Sequence, residues 1–219
     1  RRKDERFYGL GDKAGDLQRG GKRYEMRNLD AMGYNAVSTD PLYKHIPFTI
    51  TRRDDVSFGL FYDNLSSCWL DLGNEIDNYH TAYRRWQAEA GDIDYYLFTG
   101  ERVLDVTKAF VRLTGKTLFG PKWSLGYSGS TMHYTDAPDA QNQLMNFIRL
   151  CDEHAIPCDS FQLSSGYTSI NGKRYVFNWN YDKVPQPKVM SQAFHDAGLH
   201  LAANIKPCLL QDHPRYGEV

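Results

Sequence analysis

A chain of 219 residues is long enough for one large domain or two modest ones. With 26 Lys and Arg against 27 Asp and Glu, its formal net charge is −1, which leaves no electrostatic case for nucleic acid or an anionic membrane surface. No apolar run approaches the roughly 18 residues that a membrane helix needs, and Cys68, Cys151, Cys158 and Cys208 form no Cys-x-x-Cys pair, so free thiols are expected, with no metal and no cofactor.

Aromatic residues make up 14% of the chain, with 15 Tyr and 4 Trp. That enrichment suits stacking on sugar rings, and it equally suits β-structure. The start, Arg1-Arg-Lys-Asp-Glu-Arg-Phe7, has no apolar signal core. It reads as the middle of something, because a strand-like run begins at once with Phe7-Tyr-Gly-Leu10.

Residues 1 to 98 carry a period of two. Val56, Phe58, Leu60 and Tyr62 alternate on one face, as do Cys68, Leu70 and Leu72, and then Ile93, Tyr95 and Leu97. Asp54-Asp55, Asp63-Asn64, Gly73-Asn74 and Gly91-Asp92 supply turns between them. Short strands at this spacing predict an antiparallel sandwich. Gly9-Leu-Gly11 is followed by Gly15 and by no helical pattern, which rules out a dinucleotide-binding fingerprint.

From Val103 the period becomes helical. Val103, Val106, Phe110 and Leu113 form one stripe, and Gly115 is placed to stop it. Gly120-Pro121 marks a linker, so a boundary near residue 116 is expected, with domains at 1–115 and 116–219. After it comes a strand–helix–strand grammar. Trp123-Ser-Leu-Gly-Tyr-Ser-Gly-Ser130 reads as a strand. A helix follows from Pro138 to His154, with Asp136 as N-cap and Leu144, Phe147, Ile148 and Cys151 buried. Ile156-Pro-Cys-Asp-Ser-Phe-Gln-Leu163 is the next strand. Another helix runs from Pro187 through Met190 and Phe194 to Gly198, and Leu199 to Ile205 is the third strand. Units of this kind build parallel sheets, whose chemistry sits on loops leaving the carboxyl ends of the strands. Three strands cannot close a (β/α)8 barrel of about 250 residues, so the stretch is expected to be a piece of a longer protein.

The order of motifs resembles glycoside hydrolase family 31. The segments are Glu5-Arg-Phe-Tyr-Gly-Leu-Gly11, Asp40-Pro-Leu-Tyr-Lys-His-Ile-Pro-Phe48, Leu113-Thr-Gly115, Pro121-Lys-Trp-Ser-Leu-Gly126, Ile156-Pro-Cys-Asp159, Phe177-Asn-Trp179 and Pro185-Gln-Pro187. Each is weak alone, and it is their shared order that carries the resemblance. It implies an α+β, two-part chain: a galactose-mutarotase-like antiparallel β-sandwich, then the first βα units of a (β/α)8 barrel. It also implies a retaining mechanism with paired carboxylates about 5 to 5.5 Å apart. In the family these follow the fourth and sixth barrel strands. Neither is expected within these residues, and Asp159 and Asp182 read as structural or surface carboxylates.

What the resemblance leaves here is part of a sugar pocket. Glucose-acting members typically have a Leu-Asp-Ile-Asp-Tyr-like motif after the second strand, where this chain has Leu163-Ser-Ser-Gly-Tyr167. Ser164 and Gly166 stand at the two acid positions. Serine reaches less far and carries no charge, which favours a galacto-configured or N-acetylated sugar unless another residue supplies the contact. Met132 stands where an aromatic is common and is suited to a sugar face. Lys206 follows the third strand, where an Asp often precedes the Pro. Asp30, in Asn28-Leu-Asp30, matches a family loop that reaches over the barrel mouth. Tyr167 lines either the pocket or the core.

The expected partner is a carbohydrate substrate, acted on by a retaining α-glycosidase. A transglycosylase would use the same residues. A non-catalytic carbohydrate-binding module is the reading from a different class, and it predicts an exposed aromatic platform with Trp69 or Trp86.

Overall fold

The computed structural model describes residues 4–75, 79–81, 83–206 and 208–219. They form two compact units, Arg1–Thr117 and Leu118–Val219.

The first unit is built from two antiparallel sheets. One has the order β1 (Arg6–Gly9), β3 (Phe48–Arg53), β4 (Val56–Tyr62), β7 (Tyr95–Gly100). The other has the order β2 (Arg23–Met26), β5 (Cys68–Leu72), β6 (Arg84–Ala88). Phe7, Leu10, Tyr24, Met26, Cys68, Leu70 and Leu72 are buried together in one core, with Tyr62 and Trp86 packed against it. The alternation in Cys68–Leu72 therefore points inward, as its period-two pattern requires.

The four-stranded sheet is covered on its other face as well, by helix α1 (Val103–Thr114). Val106 is fully buried against Phe48 and Ile50. The Phe110 ring stacks on Phe48 at 3.9 Å. This second layer changes the expected burial of β4. Val56, Phe58, Leu60 and Tyr62 are only half-buried or exposed, whereas Ser57 and Gly59 between them are buried. Gly59 is required by the close approach of the helix, since an added Cβ would lie 2.6 Å from the Val106 side chain. The expected inward face of the last strand is also open: Ile93, Tyr95 and Leu97 are 74, 54 and 60% exposed. Only Tyr62 tilts against Tyr95 there, because a three-stranded partner sheet does not reach the edge of a four-stranded one. Phe98, on the opposite face, packs on Phe48 and Phe110.

The second unit holds three parallel strands in the order β12 (His200–Ala203), β9 (Ser160–Leu163), β8 (Ser128–Thr131). Helix α3 (Ala140–Glu153) connects β8 to β9, and α4 (Pro187–Asp196) precedes β12. Leu144, Phe161, Leu163, Val184, Met190 and Phe194 are its buried centre. The expected strand–helix–strand order is present, and the strands are shorter than their apolar runs. Trp123 is not on a strand. Residues Lys122–Leu125 form a 3₁₀ turn, because the Ser124 amide and hydroxyl both donate to the Pro121 carbonyl, at 3.0 and 2.7 Å. Local bonds of that kind compete with a sheet ladder. Trp123 instead stacks on His200 at 4.0 Å, beside the first residue of β12.

Asp136 does not cap the long helix. It ends a separate short helix, α2 (Met132–Asp136), and α3 starts after Asp139. Pro138 explains the break. A residue before proline is pushed out of the helical region, and Ala137 has ψ 147°.

Candidate functional site

The parallel strands end in register. Thr131 and Ala203 both pair with Leu163. Met132, Ser164 and Asn204 therefore begin three neighbouring loops along one rim, spaced by about 4.8 Å from strand to strand. The Asn204 N–H donates to the Leu163 carbonyl at 3.0 Å, which carries the ladder one residue onto the rim. Asp159 lies one residue before β9, at the opposite end of the sheet. Asp182 is in an exposed turn, its N–H donating to Asn180 Oδ1 at 2.9 Å.

Met132 is the first residue of α2 and is 58% exposed. Thr131 holds it there: the last residue of β8 is also the helix N-cap, its hydroxyl accepting from the His133 N–H at 3.1 Å. Ser164 precedes the 3₁₀ turn Ser165–Thr168 and is half-buried, with no side-chain capping bond. Lys206 is exposed beyond the end of β12, and the following Pro207 lies outside the described residues.

Tyr167 sits in the core of this unit, 5% exposed, with Trp179 at 4.7 Å. Its hydroxyl donates to the Asn204 carbonyl at 3.2 Å. Burial pushes its pKa above the ordinary tyrosine value, which keeps the hydroxyl a neutral donor. It offers a ligand little surface and ties two rim loops together.

Asp30 belongs to the first unit, on the loop from β2 to β3, where its carboxylate is exposed. The loop is held at its base. Asp40 accepts from the buried Lys13 Nζ at 2.8 Å and from the Glu25 N–H at 2.6 Å. Tyr43 closes the span around Asp30, donating its N–H to Leu29 and its hydroxyl to Ala31.

One group at the rim of the second unit was not singled out from sequence. Gly166 is buried because α2 passes directly over it: an added Cβ would lie 2.5 Å from the Thr135 carbonyl oxygen and closer still to the Asp136 carboxylate. Asp136 Oδ1 pairs with Arg174 Nη2 at 2.9 Å, and Arg174 Nε donates to Ser165 Oγ at 3.2 Å. A carboxylate from the loop after β8 thus fills the space that a side chain at 166 would need. Arg174 is delivered by a small hairpin, β10 (Ser169–Ile170) and β11 (Lys173–Arg174). Asn171 and Gly172 turn it with positive φ, 49° and 76°. Asn-Gly is the usual signal for such a turn, and it was the available clue to this group.

Among the described residues, no group of three or more His, Cys, Asp or Glu side chains is placed to hold a metal ion, and no helix is long and apolar enough to cross a membrane. The aromatics do not form a platform on the sandwich. Trp86 stacks flat on Tyr62 at 4.7 Å against the core, and Trp69 lies under the Arg23 guanidinium.

Comparison with known proteins gives two matches in chain order. Residues 1–71 match the glycosyl hydrolase 31 N-terminal galactose mutarotase-like domain, and residues 117–219 match the glycosyl hydrolases family 31 TIM-barrel domain. The chain belongs to glycoside hydrolase family 31. Alpha-glucosidase 2 of Bacillus thermoamyloliquefaciens is 32% identical over 210 residues, which is 96% of this chain and 25% of that protein. Neutral alpha-glucosidase AB of Sus scrofa is 29% identical over 228 residues, 95% of this chain and 23% of that protein. The family 31 dextranase of Flavobacterium johnsoniae, solved with glucose, is 31% identical with a TM-score of 0.81, covering 96% of this chain and 24% of that one. The chain spans about a quarter of the length of these relatives. An antiparallel sandwich followed by parallel barrel strands is the family's architecture.

Proposed function

We propose that these residues contribute the sandwich and the opening βα units, divided at about 1–115 and 116–219, to a retaining α-glycosidase. The observation that carries the reading is the in-register rim, where Met132, Ser164 and Asn204 follow three parallel strands of a family 31 barrel. Active sites in such barrels lie at this end. The relatives named as α-glucosidases and the dextranase support an α-linked sugar substrate.

Within the rim, Met132 packs on a sugar face and Ser164 donates to a hydroxyl or an acyl substituent. Lys206 serves a polar substituent. Tyr167 shapes the pocket through its bond to Asn204. In the sandwich loop, Asp30 is a further sugar contact, since a carboxylate accepting from hydroxyls makes a strong charge-assisted bond. With serine at 164 and no side chain at 166, the pocket favours galacto-configured or N-acetylated sugars over plain glucose.

The test is kcat/KM of the protein with a complete barrel on aryl α-glucosides, α-galactosides and α-N-acetylgalactosaminides, with the anomer of the first product read by NMR. Turnover with retention is expected. No turnover of any α-glycoside would overturn the proposal, and a strong preference for glucosides would remove its Ser164 component. The 219-residue chain alone is expected to turn over none of them.

A further inference from the structure

Cys151 and Cys158 stand at the other end of the second unit's sheet. Cys151 is in the last turn of α3, and Cys158 is in the loop that enters β9. The chain folds back between them: the Ile156 N–H donates to the Cys151 carbonyl at 2.8 Å, with Ala155 at φ +50°. The two thiols are hydrogen-bonded to each other. Cys158 Sγ also lies 3.3 Å from the Ser160 carbonyl oxygen. Cys151 is 9% exposed and Cys158 is half-buried. Both line one open groove of about 810 Å³, bounded by Met145, Ile148, Ala193 and Leu199. Two thiols in mutual contact beside a solvent-open groove can meet a small oxidant without unfolding.

We propose that Cys151 and Cys158 are a dithiol that closes to a disulfide when the protein meets a disulfide oxidant such as oxidised glutathione. Cys158 is the entry point, because burial raises the Cys151 thiol above the ordinary cysteine value and holds it protonated. The Cys158 thiolate attacks one glutathione sulfur and expels one glutathione thiolate. Cys151, losing its proton to solvent, then attacks the mixed disulfide at Cys158 and expels the second. Two protein thiols are oxidised and one glutathione disulfide is reduced to two thiols. The clip ties the end of α3 to the start of β9 and leaves the rim untouched. It does not depend on the glycosidase reading.

The test is to incubate the Cys68→Ser/Cys208→Ser chain with oxidised glutathione at pH 8, then count thiols and map peptides by mass. Loss of both thiols, a mass lower by two hydrogens and a linked 151–158 peptide are expected. The unfolding midpoint of the unit should rise by roughly 5–10 °C, from closing a short loop in the unfolded chain. Peptide mapping of the oxidised wild-type chain should give the same link. Two persisting thiols, a stable glutathione adduct at Cys158 or a dimer through either cysteine would overturn the proposal.

Discussion

The Tyr167 hydroxyl donates to the Asn204 carbonyl at 3.2 Å, joining the turn after β9 to the end of β12 from beneath the rim. The ring is buried and the phenol is neutral, so the bond acts as an apolar wedge with one polar pin.

Tyr167→Phe should keep the packing and lose the pin. Leaving the Asn204 carbonyl without this donor is expected to destabilise the unit by about 0.5–1.5 kcal/mol, read by denaturant unfolding. Tyr167→Ala should lose about 3–5 kcal/mol, the range of large-to-small aromatic changes in a core. Equal losses for the two variants would show that the ring contributes nothing beyond its hydroxyl.

Gly166→Ala should destabilise by about 1–3 kcal/mol, because the new Cβ meets the Thr135 carbonyl and overpacks a closed contact. Asp136→Asn should be milder, about 0.2–1 kcal/mol, since both partners of the Arg174 pair are partly exposed. Thermal unfolding of the two variants side by side checks the order. A tolerated Gly166→Ala would mean that α2 does not hold its position over the turn.

Leu144→Ala removes a fully buried side chain from the centre of the second unit and should lose about 2–5 kcal/mol. Leu104→Ala, on the exposed side of α1, should stay within about 0.5 kcal/mol. Chemical unfolding of the pair measures the difference.

The segment after β12 is pinned to the β10–β11 hairpin. Asp212 pairs with Lys173 at 2.5 Å and accepts from the Tyr175 hydroxyl at 3.1 Å. His213 Nε2 donates to the Val176 carbonyl, and Nδ1 accepts from the Arg215 N–H. The Lys173 hydrogen bond holds the Asp212 carboxyl below its ordinary value. A folded pKa below the unfolded one adds stability above the ordinary carboxylate range, and that stability is lost as pH falls through the lowered value. Asp212→Asn should therefore flatten part of the acid limb of a Tm-against-pH curve while changing little near neutrality. An unchanged acid limb would show that the pair does not couple to folding.

Much of the architecture was legible because it rests on local periods. Alternation in Cys68–Leu72 and the stripe through Val106 and Phe110 are set by backbone geometry, which neighbours a few residues away already determine. The break at Pro138 was missed in spite of a local signal, because the helical period continued on both sides of it.

The sequence alone settled the two-part plan, the parallel βα order, the family and the three rim loops carrying Met132, Ser164 and Lys206, since each is a matter of short-range pattern and motif order. Tertiary structure decided which faces are covered and by what. Gly59 is buried only because α1 lies on it, and Gly166 is glycine-shaped only because Asp136, thirty positions away, occupies its side-chain space to meet Arg174. Contacts between segments far apart in the chain leave no period to read, because they depend on where separate elements come to rest.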